Sequence, residues 1–116
     1  MEALKIDISR QGQTCILSLA GPLTARQVAC LRRASFQTDA TGHCVLDLSA
    51  LEEIDGYGLS ALVGILARYR EHGGRVVLCG INPVLRASLE ATFCDALFTL
   101  RSDLEGALMA VEESPR

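Results

Sequence analysis

Tryptophan is missing from this 116-residue chain, and its aromatic residues are two tyrosines and three phenylalanines. The core must then be built from Leu, Val, Ile and Ala. Few rings are left to stack nucleic-acid bases. Basic clusters are missing too. No run of adjacent cations exceeds Arg32-Arg33, and the formal net charge is -3. A protein that follows a phosphate backbone needs a cationic face, so nucleic acid is not the expected partner. Long apolar runs are also lacking. The uncharged stretch in the middle of the chain, Gly56 to Ala67, has 12 residues, whereas a membrane span needs roughly 20. The opening MEALKIDIS holds no apolar block of the signal-peptide kind. The expectation is a soluble, cytoplasmic protein without direct membrane insertion.

Motifs that carry chemistry are scarce. The cysteines, Cys15, Cys30, Cys44, Cys79 and Cys94, are widely spaced, with no CxxC or Cys/His cluster. They read as reduced core residues of a cytosolic protein. No GxxxxGK[ST] run exists, and GxGxxG fails because Ala61, not glycine, stands at its last position after Gly56 and Gly58. No GxSxG elbow is present. Of the two histidines, His43 begins a strand, and His72 sits beside Gly73-Gly74, where it reads as a partner of a helix dipole. Asp47 and Asp55 bracket a strand end, but two carboxylates do not make a metal signature. The chain is therefore expected to have no catalytic residue, no metal site and no cofactor, and not to be an enzyme.

What is there is a clear periodic pattern in a chain that is 49% apolar. Its length suits a single domain over residues 1–116. Lys5 to Ser9 alternates polar and apolar, as a half-buried strand does, and Gln11-Gly12-Gln13 is a hairpin turn. Thr14 to Ala20 is a second strand, ended by Gly21-Pro22. Thr24 and Gln27 have capping-box spacing and open a helix through Val28, Leu31 and Phe36 to about Thr38. Cys44 to Leu48 reads as a strand covered on both faces. Leu59, Leu62, Val63, Ile65, Leu66 and Tyr69 form the stripe of a second helix that ends at Gly73-Gly74. Arg75 to Cys79 is another buried strand. Asn82-Pro83 caps a third helix reaching about Thr92. Leu97 to Leu100 is a short strand. Ser102 and Glu105 frame a capping box before a last helix ending near Glu113. The order ββαβαβαβα predicts an α/β fold, a mixed sheet of about 4–5 strands flanked by about 4 helices.

The unusual turn is Asp55-Gly56-Tyr57-Gly58. Asp55 stands where a helix begins, so its carboxylate can accept backbone amides and meet the positive end of the dipole. The glycines allow a sharp strand-to-helix turn. Tyr57, at the tip, is expected to be exposed, which favours contact with a partner. Ser60, Gly64 and Arg68 follow at spacing four on the side left by the apolar stripe, where small residues allow close approach or simply face solvent.

The segment VLDLSALEEIDGYGLSALVGILARYREHGGRVVLCGINPVLRASLEATFCDALF, with the earlier Gly21-Pro22-Leu23 turn, resembles the STAS domain of bacterial anti-sigma factor antagonists. Nearly the whole chain takes part in this resemblance. It implies a non-enzymatic module that binds a partner-switching serine kinase, the anti-sigma factor, and so frees a sigma factor. It places Thr24, Asp55, Gly56, Tyr57, Gly58, Ser60 and Asn82 on the binding surface. In the family, a serine directly after the motif's acid takes a phosphate that blocks binding, through added charge at a tight interface. Here that position is Gly56, which has no hydroxyl, and the second serine is Tyr57. An acid often ends the first turn; here it is Thr24. Phosphorylation is therefore not expected at residue 56, with Tyr57 and Ser60 the nearest other acceptors. The second reading is a STAS accessory subunit resting on the ATPase of an ABC-type lipid transport complex. The sequence leaves the oligomeric state open, a homodimer included.

Overall fold

A computed structural model describes residues 3–38, 40–92 and 97–112. In chain order the elements are β1 (Lys5–Gln11), β2 (Thr14–Leu23), α1 (Val28–Phe36), β3 (His43–Ile54), α2 (Gly56–Glu71), β4 (Val76–Cys79), α3 (Pro83–Ala91), β5 (Thr99–Arg101) and α4 (Leu104–Val111). One five-stranded sheet runs β1-β2-β3-β4-β5, with β1 antiparallel to β2 and every later pair parallel. The mixed sheet and the element order are those expected from the sequence.

Alternation along the strands sorts the core into two layers. Ile16, Val45 and Val77 stand in one register row. They pack with Cys79 against Ala107, Ala110 and Val111 of α4. The next row, Leu17, Leu46 and Leu78, faces the other way. It meets Leu31 of α1, Leu62 and Leu66 of α2, and Leu85 and Leu89 of α3. Sequential parallel strands joined by crossovers of one hand must put their helices on one face. That leaves α4, which follows the last strand, to cover the other. Burial on both faces is why β3 and β4 read as continuous apolar runs rather than alternating ones.

Several boundaries differ from the sequence reading. β2 does not stop at Gly21-Pro22 but continues to Leu23, and β3 runs six residues past Leu48 to Ile54. The two extensions pair with each other across register shifts at Ser18/Ala20 and Gly21/Pro22. Pro22 lies beyond the last β1 partner, Lys5 opposite Ala20, so its missing amide removes no bond to β1. β5 is Thr99–Arg101 rather than Leu97–Leu100. α1 ends at Phe36 rather than Thr38. The expected end of α4 near Glu113 falls outside the described residues, and the helix itself stops at Val111.

The caps show how local chemistry sets these ends. Thr24 and Gln27 form half of the expected box. Gln27 Oε1 accepts both the Thr24 amide, at 3.0 Å, and the Thr24 hydroxyl, at 2.7 Å. The threonine hydroxyl is thereby diverted from the helix, and α1 begins only at Val28. At α4 the cap is Asp103, not Ser102; its Oδ1 accepts the Gly106 amide at 2.8 Å. At the end of α2, Gly73 adopts φ +80. Its amide reaches Arg70 O, and the Gly74 amide reaches back to Tyr69 O at 2.8 Å. This six-to-one closure is the Schellman geometry that Gly-Gly predicts. His72 lies beside it with Nδ1 2.9 Å from Arg68 O, in the last turn as expected.

Two apolar residues of α1 lie outside the core, and one of them, Cys30, was expected inside it. Phe36 is 69% exposed. Its place in the α1 stripe is taken by the buried Ser35, whose hydroxyl is satisfied by Arg32 O. Cys30 is exposed, whereas Cys15, Cys44 and Cys79 are buried; Cys94 lies outside the described residues. Burial pushes the Cys44 thiol up to about 12, with Cys15 nearby adding to the effect. Burial also raises Cys79 to about 12, reinforced by Asp47 and Asp103. The Tyr69 phenol is raised by burial as well.

These shifts predict an alkaline limit to stability. The unfolded chain releases its thiol protons near their ordinary value of 9.0, while the folded chain holds those of Cys44 and Cys79 to about 12. Above pH 9 the unfolded state binds fewer protons than the folded one, so stability falls as pH rises. Tm should be level from pH 7 to 8.5 and drop steadily above 9. The double variant Cys44→Ala/Cys79→Ala, compared with its own value at pH 7.5, should drop less. Equal slopes in the two chains would refute this origin.

Candidate functional site

The strand extensions of β2 and β3 end together and build one corner. Asp55 follows β3 with extended backbone and begins α2. Its Oδ1 accepts the Gly58 amide at 2.9 Å, and its Oδ2 accepts the Ala25 amide at 3.0 Å, in the turn after β2. The Asp55 amide itself donates to Leu23 O at 3.3 Å. One carboxylate thus caps α2 and ties it to the β2–α1 turn. Such a cap contributes about 1 kcal/mol, with the helix dipole acting in the same direction.

The two glycines of the turn have different reasons to be there. A Cβ on Gly58 would lie 2.2 Å from Leu23 O and 2.9 Å from Ile54 Cγ1. Gly58 is therefore required by the close approach of α2 to the end of β2. A Cβ on Gly56 would meet nothing within 4 Å. Residue 56 is open to solvent, and so is Tyr57 at 69% exposure. Ser60 is exposed one turn further on.

Shallow grooves flank α2 on both sides. One, between α1 and α2, is lined by Leu31, Phe36, Ser60, Gly64 and Arg68 among others. Arg68 is not part of an idle solvated face. Its guanidinium donates to Ser35 O and Thr38 O at the end of α1 and lies 5.0 Å from the centre of the Phe36 ring. The other groove is formed by Gly56, Leu59, Ser60, Val63 and Thr92.

Of the residues picked from the sequence, Thr24, Asp55, Gly56, Tyr57 and Gly58 converge at this corner, with Ser60 one turn along α2. Asn82 stands at the start of α3. Its Oδ1 caps α3 by accepting the Leu85 amide at 2.8 Å. The sequence reading missed Phe36 and Thr92 as groove residues. An aromatic side chain outside the core would have flagged Phe36, but nothing local marks Thr92. Asp47, weighed with Asp55 as a cation pair, is instead occupied by Ser49, whose amide and hydroxyl donate to Oδ1 at 3.1 and 2.8 Å. Among the described residues no group of three or more His, Cys, Asp or Glu side chains is placed to hold a metal ion. No described helix is long and apolar enough to cross a membrane.

A corner built from the acid-glycine turn of an α/β sheet, with a helix start presented to solvent, defines the class. The sequence profile of the STAS domain matches residues 5–107, and the chain belongs to the STAS domain family. Its fold is similar to that of an anti-sigma factor antagonist from Mycobacterium paratuberculosis, at 23% identity, 96% of each chain covered and a TM-score of 0.87. An anti-sigma-factor antagonist (STAS) domain protein from Planctomyces limnophilus is similar at 20% identity, 93% of this chain and 98% of that one, with a TM-score of 0.78. A sulfate transporter family protein from Wolinella succinogenes is similar at 18% identity, 90% and 88% coverage, and a TM-score of 0.76. These likenesses establish the fold.

Proposed function

We propose that this chain, acting as one domain over residues 1–116, is a non-enzymatic interaction module of the anti-sigma factor antagonist kind. It binds an anti-sigma factor of the serine-kinase type and so releases a sigma factor. The observation that carries this reading is the presentation of Gly56 and Tyr57. Both point outward from a corner whose only carboxylate at the turn, Asp55, is already engaged by two backbone amides. Asp55 then acts by fixing the turn, and Tyr57 is the anchor that enters the partner, with Ser60 beside it and Thr24 at the rim. Glu52 and Glu53 are exposed at the end of β3 and favour a partner with a basic surface there.

The module is not switched off by phosphate at residue 56, because glycine has no side-chain hydroxyl. This yields a gain-of-function prediction. The space around the Gly56 Cβ position is empty, so Gly56→Ser should fold normally and restore an acceptor. Incubated with the cognate kinase and ATP, the serine variant should gain one phosphate by intact mass, and the unaltered chain none. Phosphate on the unaltered chain would refute the constitutive reading and direct mapping to Tyr57 and Ser60.

The second reading is a STAS subunit of an ABC-type transport complex, and the missing hydroxyl at residue 56 favours it equally. Capture from native lysate on the tagged chain separates the two. A soluble ATP-binding anti-sigma factor, identified by mass spectrometry, is the expected partner. A membrane-associated ATPase would favour the second reading, and recovery of neither would overturn both.

A further inference from the structure

Away from the Asp55 corner, beside the start of β4 and along β5, the fold brings Arg101 to Arg70 and Arg75, which lie between the last turn of α2 and the start of β4. Arg70 in the last turn of α2, Arg75 just before β4, and Arg101 at the end of β5 line one cleft of about 260 Å³. Thr99 adds a hydroxyl-bearing side chain, and Val77 and Ala110 are part of its apolar floor. Three of the eleven Lys and Arg side chains of an acidic protein thus meet in one depression. No Asp or Glu among the described residues lines it.

Each guanidinium is held in place by a backbone carbonyl. Arg75 Nη1 donates to Ala110 O at 3.1 Å, Arg70 Nη2 to Leu97 O at 3.3 Å, and Arg101 Nη1 to Leu100 O at 2.8 Å. A guanidinium has five N–H donors in a planar fork, so these anchors orient the groups and leave other donors for a ligand. They also occupy carbonyl oxygens that would otherwise repel an anion. Gathering three like charges is unfavourable unless a counter-charge neutralises them, and planar forks match phosphate oxygens two at a time.

We infer that this cleft is a binding site for a small multiply charged phosphate compound, a phosphate monoester or a diphosphate. Its volume lies just below the roughly 300–1,000 Å³ of sites that enclose drug-sized ligands. It suits a phosphate group with little attached to it. The site lies at the other end of the sheet from Tyr57 and does not depend on the proposed function. Anion binding there links the end of α2 to β5 and α4, so a bound ligand stabilises the folded chain by an amount that grows with the logarithm of its concentration above Kd.

The test is titration calorimetry of the full chain with inorganic pyrophosphate at physiological ionic strength, with amide NMR to locate the site. Saturable binding at one site is expected, with the Thr99, Val77 and Ala110 amides shifting most. Arg101→Gln and Arg70→Gln should each weaken binding about tenfold or more, as expected for loss of a charge-assisted contact. Arg33→Gln, which removes an exposed charge on α1, should leave it unchanged. Arg75 is not varied, because it also secures α4. Absence of saturable binding would overturn the inference. So would equal weakening by Arg33→Gln, which would mean general charge attraction, or full competition by sulfate at matched ionic strength, which would mean an unselective anion site. Normal circular dichroism of the two arginine variants establishes that any loss of binding is local.

Discussion

Gly58→Ala is expected to destabilise the fold by about 3 kcal/mol, at the upper end of what overpacking costs. The added methyl would sit 2.2 Å from Leu23 O and 3.0 Å from Leu23 Cγ. The nearest atom belongs to backbone, so no rotamer change relieves it. Either α2 or the end of β2 must move, and the Asp55 carboxylate that ties them would lose its geometry at Ala25 or Gly58. Gly56→Ala, two residues earlier in the same turn, has empty space around it. It removes a flexible residue from the first helical position, so it should be neutral or stabilising by up to about 0.5 kcal/mol. Urea unfolding checks both. With slopes of about 1–3 kcal/mol/M, the Gly58 variant should lower the midpoint by a molar or more, and the Gly56 variant should not lower it. A Gly58→Ala chain as stable as the parent would mean that α2 does not approach β2 as described.

That contrast marks what a sequence can and cannot tell. Both glycines sit beside Tyr57 and look alike in one dimension. Only the position of Leu23, 35 residues before Gly58 in the chain, makes one obligatory and leaves the other free. The same rule runs through the fold. The apolar strands, the Gly73-Gly74 stop and the Asn82-Pro83 start were legible because their causes are local: alternation, left-handed backbone and a side-chain cap. The second half of β3, Ser49 to Ile54, was not. Its polar residues Ser49, Glu52 and Glu53 interrupt the apolar run, and it is a strand because the bulged end of β2 lies beside it. Phe36 marks the first helix by its period, but the fold leaves it exposed beneath the Arg68 guanidinium, and Ser35 fills the core position. The arginine cleft left no trace in the sequence, since Arg101 comes to Arg70 and Arg75 only through the pairing of β5 with β4. The candidate site was the most readable part, because its Asp-Gly-Tyr-Gly turn is contiguous.

Tyr57→Ala is expected to separate binding from folding. The side chain is 69% exposed, so its loss should change stability by less than about 0.5 kcal/mol, as for other surface substitutions. As an anchor it should instead reduce affinity for the cognate partner by at least about 2 kcal/mol, roughly thirtyfold in Kd. Most of that change should appear as faster dissociation, because truncating an interface residue alters residence time more than encounter rate. Tyr57→Phe should keep most of the affinity if the ring fills an apolar recess, and little if the phenol hydroxyl makes a buried hydrogen bond. Biolayer interferometry on the captured partner, with urea unfolding of each variant in parallel, reads both quantities. A Tyr57→Ala chain that binds as tightly as the parent would remove Tyr57 as the anchor. The neighbouring grooves, with Phe36 on one side of α2 and Val63 on the other, would then be the next surfaces to vary.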